Sequence, residues 1–191
     1  MNRHRPLSAL SALLVAGIAL VAHTPAHADV VVDQSQTSQG GTLGAAVPWY
    51  QTFRPSLDNI VSVDLWTRAD SGGIAGVELL DEPCGTVIAS GQIAVVGTGV
   101  DNVPFDGGPI PLVPGQTYVL RFLPIEGDIQ WWRGSPNNPY ADGALHSGWW
   151  DQVCTDPYDE GQWDFMFRTY GESGFVPTEE TTWTMVKAIY R

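Results

Sequence analysis

Cysteine, histidine and positive charge are the scarce commodities of this chain. Cys84 and Cys154 are the only cysteines in 191 residues, and neither has a histidine nearby, which makes a poor zinc site. Of four histidines, His4, His23 and His27 crowd the N-terminus, leaving His146 alone for any Ser-His-Asp arrangement. There is no Gly-x-Ser-x-Gly elbow, no Ser-x-x-Lys and no phosphate-cradling glycine loop, and no two glutamates pair as a glycosidase requires. These absences argue against an enzyme. Basic residues number nine against 21 acidic ones, for a formal net charge of −12. Such a surface repels phosphate backbones and anionic lipid, which argues against nucleic acid as a partner. Good helix windows are also few between residues 29 and 170, and no internal repeat is visible.

What is present begins with an export signal. Arg3, His4 and Arg5 form a basic start, an uncharged Leu-, Ala- and Val-rich stretch runs from Leu7 to Ala22, and Ala26-His27-Ala28 supplies a small-x-small cleavage site. The competing reading is a membrane helix, but the apolar stretch is short against the ~20 residues a span needs. No twin-Arg pair and no lipid-bearing cysteine accompany it. The expectation is a signal peptide over residues 1–28 and a secreted, extracellular protein with no span after cleavage. Attachment to the cell surface stays open. Cleavage leaves 163 of the 191 residues and removes two basic residues but no acidic one, taking the net charge from −12 to −14. That length suits one domain with a sizeable core. An even cysteine count in an exported chain favours a Cys84–Cys154 disulfide closing a loop of about 70 residues, with two free thiols as the alternative.

The body of the chain reads as short strands. Val61, Val63 and Leu65 share one face, as do Tyr118, Leu120 and Phe122. In the stretch from Trp163 to Tyr170, Trp163, Phe165 and Phe167 point one way while Asp164, Met166, Arg168 and Tyr170 point the other. Further strands are expected at 30–33, 49–53, 74–80, 86–90, 93–97, 100–105 and 129–133. Turn chemistry separates them at Asp70-Ser71-Gly72-Gly73, Glu82-Pro83-Cys84-Gly85, Asp106-Gly107-Gly108-Pro109 and Pro114-Gly115. About ten short strands at this spacing predict an all-β antiparallel sandwich over residues 29–171. Residues 134–162 read as a long irregular loop. From 172 to 191 the composition shifts to a linker and tail. Thr178 is placed to cap a short C-terminal helix carrying Trp183, Val186 and Tyr190 on one side, the competing reading being a frayed end.

Five pieces together carry a resemblance: Asp33-Gln34-Ser35-Gln36, Gln51-Thr52-Phe53-Arg54-Pro55-Ser56-Leu57, Leu112-Val113-Pro114-Gly115-Gln116-Thr117-Tyr118-Val119-Leu120, Tyr140-Ala141-Asp142-Gly143 and Asp164-Phe165-Met166-Phe167-Arg168-Thr169-Tyr170. They span nearly the whole mature domain. The chain resembles secreted bacterial β-sandwich modules known as choice-of-anchor domains, which are similar to jelly-roll carbohydrate-binding modules. The resemblance implies that fold and an extracellular, ligand-free or sugar-binding role. It transfers no catalytic or binding residue. The ending Thr182-Trp183-Thr184-Met185-Val186-Lys187 departs from the usual anchors, lacking a terminal apolar helix followed by a basic cluster.

Five of eight tryptophans, Trp131, Trp132, Trp149, Trp150 and Trp163, fall within 33 residues. Pyranose rings pack their C–H faces on indole, and their hydroxyls need planar donors and acceptors. Trp131, Trp132, Tyr140, Trp149 and Trp150 offer faces, while Arg133, Asn137, Asn138 and Asp142 offer hydrogen bonds. An adjacent pair on a strand must split between the two sheet faces, so Trp131 and Trp132 cannot both be platforms. The competing reading makes these aromatics the core of the sandwich. No cofactor is implied with certainty. Calcium is the one candidate metal, with Asp151, Asp156, Asp159 and Asp164 as ligands and Glu160 nearby, although the spacing is not that of an EF-hand. Solvated acids, or an Asp164–Arg168 ion pair, are the alternative. The resulting expectation is a secreted, non-catalytic module that binds polysaccharide or a cell-surface glycan. A structural or adhesive domain without a small ligand comes second, and a small all-β glycosidase third.

Overall fold

The computed structural model describes residues 28–137, 139–146 and 163–174. Most of the expected signal peptide and of the C-terminal tail, including its helix, lies outside the described residues. Within them the chain is all-β, with no helix and with every strand pair antiparallel. The strands are β1 (Val30–Gln36), β2 (Gly41–Gly44), β3 (Trp49–Phe53), β4 (Asn59–Ile60), β5 (Ser62–Leu80), β6 (Val87–Pro104), β7 (Ile110–Pro111), β8 (Tyr118–Gly127), β9 (Trp131–Pro136), β10 (Leu145–His146), β11 (Trp163–Phe165) and β12 (Phe167–Glu172). Ten of them form one sheet in the order β1-β12-β5-β8-β3-β10. In addition β6 and β9 pair with β5, and β2 and β11 pair with β9, while β4 and β7 form a separate pair.

The long hairpin of β5 and β6 organises everything else. The sequence predicts a turn at Asp70-Ser71-Gly72-Gly73. Instead the ladder runs on through it, shifting register between Ala69 and Gly73 on one strand and between Gly97 and Val95 on the other. The glycine chemistry is that of a turn, with Gly72 at φ 84°. Because both strands depart together, however, the result is a bulge that bends the hairpin rather than ending it. Strands expected at 61–65 and 74–80 thus become one, as do those expected at 86–90, 93–97 and 100–105.

The bend is sharp. Thirteen residues of straight strand span about 43 Å, yet Gly91 and Pro104 of β6 are in contact and the amide of Asp106 donates to Ser90 O at 2.8 Å. Residues 62–65 pair with β12, residues 67 and 68 with β9, and residues 73–80 with β8. Both halves feed one core. Val63, Leu65, Val103 and Phe167 from the first half join Val77, Leu79, Leu120 and Phe122 from the second, together with Phe53, Trp132 and Phe165. A smaller buried cluster comprises Tyr50, Leu80 and Val119. Of the alternations anticipated at Val61–Leu65 and Tyr118–Phe122, Val63, Leu65, Tyr118, Leu120 and Phe122 lie in this core, while Val61 is half-buried and precedes β5.

Two expectations fail locally. Residues 134–136 are strand rather than loop, because β9 is gripped by both β2 and β11. The stretch from Trp163 to Tyr170 is not one strand but two, broken at Met166, whose amide turns to Arg133 O at 3.0 Å. Asp164 therefore pairs across to Ser135, while Arg168 pairs across to Asp64.

Candidate functional site

The aromatic stretch singled out in the sequence is largely interior where it is described. Trp132 is 1% exposed, packed between Phe122 at 6.2 Å and Phe165 at 6.5 Å, and its buried Nε1 has no hydrogen-bond partner among the described residues. Trp131 faces Gly44 and Arg68 in the ladder. Trp163 is half-buried against the core. Tyr140 is 7% exposed and its ring meets Phe167 edge-on at 5.2 Å. Its hydroxyl donates to Gln34 Oε1 at 3.0 Å and accepts from the Arg54 amide at 3.3 Å. Burial pushes the phenol up to about 12. Trp132 and Tyr140 are thus core residues, not platforms: Trp132 points inward from β9, and Tyr140, in the segment between β9 and β10, packs its ring on Phe167. Arg133 is half-buried, and Asp142 and Asn137 are exposed. Asn138, Trp149, Trp150, Asp151, Cys154, Asp156, Asp159 and Glu160 lie outside the described residues.

Asp164 is fully buried. Its carboxylate accepts from Gln51 Nε2 at 2.9 Å and from the Tyr140 amide at 2.8 Å, while Gln51 Oε1 accepts from the Phe165 amide at 2.9 Å. Burial raises its pKa, and those two donors pull the other way. The alternative ion pair with Arg168 does not form, because the break at Met166 sends the two side chains to different strands. Asp164 instead pins the segment at Tyr140 to β3. Cys84 sits half-buried in the turn between β5 and β6 at φ 57°. Among the described residues no group of three or more His, Cys, Asp or Glu gathers as a metal site.

A different constellation stands on the outer face of the first half of the hairpin. Directly paired residues of antiparallel strands share a face. One row reads Asn102, Asp64, Arg168, Ser35 across β6, β5, β12 and β1, and the next reads Pro104, Ser62, Tyr170, Val32. Trp66, paired with Val100, heads the adjacent row. Their neighbours in sequence, Val63, Leu65, Val103, Phe167 and Thr169, are buried on the opposite side, so this face looks outward. Trp66 and Tyr170 are half-buried, and Arg168 lies with its guanidinium carbon 5.3 Å from the Trp66 ring centroid. Such a cation–aromatic contact contributes roughly 0.5–1 kcal/mol at an open site.

Hydrogen bonds fix the floor. Asp64 Oδ2 accepts from the Tyr170 hydroxyl at 2.6 Å and Oδ1 from Asn102 Nδ2 at 2.9 Å, while the same amide nitrogen donates to Ser62 Oγ at 3.1 Å. Arg168 approaches Asp64 at 3.7 Å, longer than a hydrogen bond. The bond to Asp64 raises the Tyr170 pKa, with burial adding to it. No family model and no curated protein matches the chain.

Two half-exposed rings, a planar cation and an amide carbonyl on a rigid sheet are the elements of a shallow binding platform. Sequence alternation already places Arg168 and Tyr170 on one side of their strand and Asp64 with Trp66 on one side of theirs. What it lacks is the register that brings Asp64 opposite Arg168, 104 positions apart.

Proposed function

We propose that this chain is an exported, non-catalytic β-sandwich domain of jelly-roll kind that recognises carbohydrate. The observation that carries the reading is the outward face of β6, β5 and β12, where Trp66, Tyr170, Arg168 and Asn102 stand together on a hydrogen-bonded floor. Indole and phenol faces take the C–H side of a pyranose, and the polar groups orient its substituents. Export follows from the basic, apolar and small-residue order of the first 28 residues. A Cys84–Cys154 bridge belongs to the same proposal, in keeping with the lack of any free cysteine among the described residues.

The competing role is a structural or adhesive domain without a small ligand. Burial of Trp132 and Tyr140 in the core favours it. Retention on insoluble polysaccharides and on a glycan array separates the two. The wild-type chain is expected to be retained on at least one glycan, and Trp66→Ala, checked for an unchanged melting transition, to lose about tenfold in affinity. Absence of retention on every glycan leaves only the structural role.

A further inference from the structure

We infer that the glycan recognised by this face carries an isolated acidic sugar, whose carboxylate is taken by Arg168. This rests on the proposal that the face binds carbohydrate, and it names the chemistry of the ligand. The inference comes from counting which hydrogen-bonding groups the face still offers. Both Asp64 oxygens already accept, from Tyr170 and Asn102. The Tyr170 proton is committed to Asp64, and the Asn102 nitrogen donates to Asp64 and Ser62. What is left is the Asn102 carbonyl, the exposed Ser35 hydroxyl at the end of the row, and the donors of Arg168, which also lie beside the Tyr170 hydroxyl. A neutral sugar brings hydroxyls that need acceptors as often as donors, and the one carboxylate of this face is already filled. A carboxylate brings acceptors only.

Arg168 suits that partner better than Arg68 or Arg121. Arg68 is engaged through Nε and Nη2 by Asp70, at 2.5 and 2.8 Å. Arg121 is held by Glu78 with only 21% of its side chain exposed. The Arg168 side chain is 39% exposed, its pair with Asp64 stretches to 3.7 Å, and the Trp66 ring beneath it holds the guanidinium plane in place. A planar fork of donors so held matches a carboxylate two bonds at a time. The indole and phenol rings then receive the sugar body.

Net charge narrows the class further. At −12 for the whole chain, a densely charged polyanion is repelled before it arrives. One carboxylate among neutral sugars meets only the local fork. The ligand is therefore a mainly neutral glycan bearing sparse uronate groups.

The test uses the full chain and two forms of one polymer, a glucuronate-substituted xylan and the same xylan after chemical reduction of its carboxyl groups to alcohols. The expected result is binding to the acidic form and at least about tenfold weaker binding to the reduced one. Arg168→Lys, which keeps the charge but loses the fork, should lose the preference while melting as the wild type does. Equal binding to both forms overturns the acidic-sugar inference and leaves carbohydrate recognition standing. A preference for the acidic form that survives in Arg168→Lys and in Arg168→Gln assigns the carboxylate to another group and likewise overturns it. Binding to neither form, nor to any other glycan, removes both readings.

Discussion

Gly91 and Pro104 belong to the same strand, yet a side chain on Gly91 would overlap the carbonyl oxygen of Pro104. The contact closes the bent hairpin of β5 and β6 on itself, and its near side is backbone that cannot rotate away. Gly91→Ala is therefore expected to destabilise by about 1–3 kcal/mol, the usual cost of overpacking. Gly99, on the same strand, has open space where a side chain would stand. Gly99→Ala is expected to be neutral or stabilising by up to about 1 kcal/mol, through lower entropy of the unfolded chain. Urea midpoints of the two variants decide the matter; equal losses would mean that the fold does not turn on this crossing.

The strand-level plan was largely legible in the sequence, and its failures share one cause. Val63 and Leu65 alternate with Ser62 and Asp64 because one side of β5 faces the core, so the period shows. Gly41-Thr42-Leu43-Gly44 has no such contrast, and β2 exists only because β9 pairs with it. The bulge at Gly72 has the composition of a turn, and composition cannot tell whether the partner strand bends as well. The outward face of β6, β5 and β12 failed to show for a similar reason. An outward Trp66 looks in sequence like another core tryptophan, while Trp132, chosen for its neighbourhood of aromatics, went inside. Burial depends on which strands pair, and Asp64 meets Arg168 only through β12 lying beside β5.

Buried Asp164 ties Tyr140 and Gln51 together. In Asp164→Asn the amide nitrogen would confront one of those donors, at a cost of about 1–3 kcal/mol. The pH dependence has a definite sign. Burial raises the Asp164 pKa in the folded protein above its ordinary value of 3.8. The carboxyl group therefore contributes most below that pH and loses ground as pH rises through its folded value. The stability deficit of the asparagine variant should be largest in acid and shrink towards neutrality, read from urea midpoints of both proteins measured in parallel from pH 3.5 upward. A deficit constant with pH would show that burial does not govern this group.

Tyr140 gives the corresponding behaviour at the alkaline end. Its hydroxyl bridges Gln34 and the backbone of Arg54, and burial moves its pKa from 10.0 to about 12. Tyr140→Phe leaves both partners unsatisfied and should cost about 1–2 kcal/mol at neutral pH. A raised folded pKa means that the phenol's contribution is complete below pH 10 and is lost as pH climbs through about 12. The gap in melting temperature between wild type and variant is expected to stay level up to pH 10 and to close above it. Absorbance of tyrosinate should follow suit, the variant lacking a phenol that titrates at about 12. A gap that persisted unchanged to pH 12 would place Tyr140 in contact with solvent, and with it would fall the packing of the Tyr140 ring on Phe167 that joins this segment to the core.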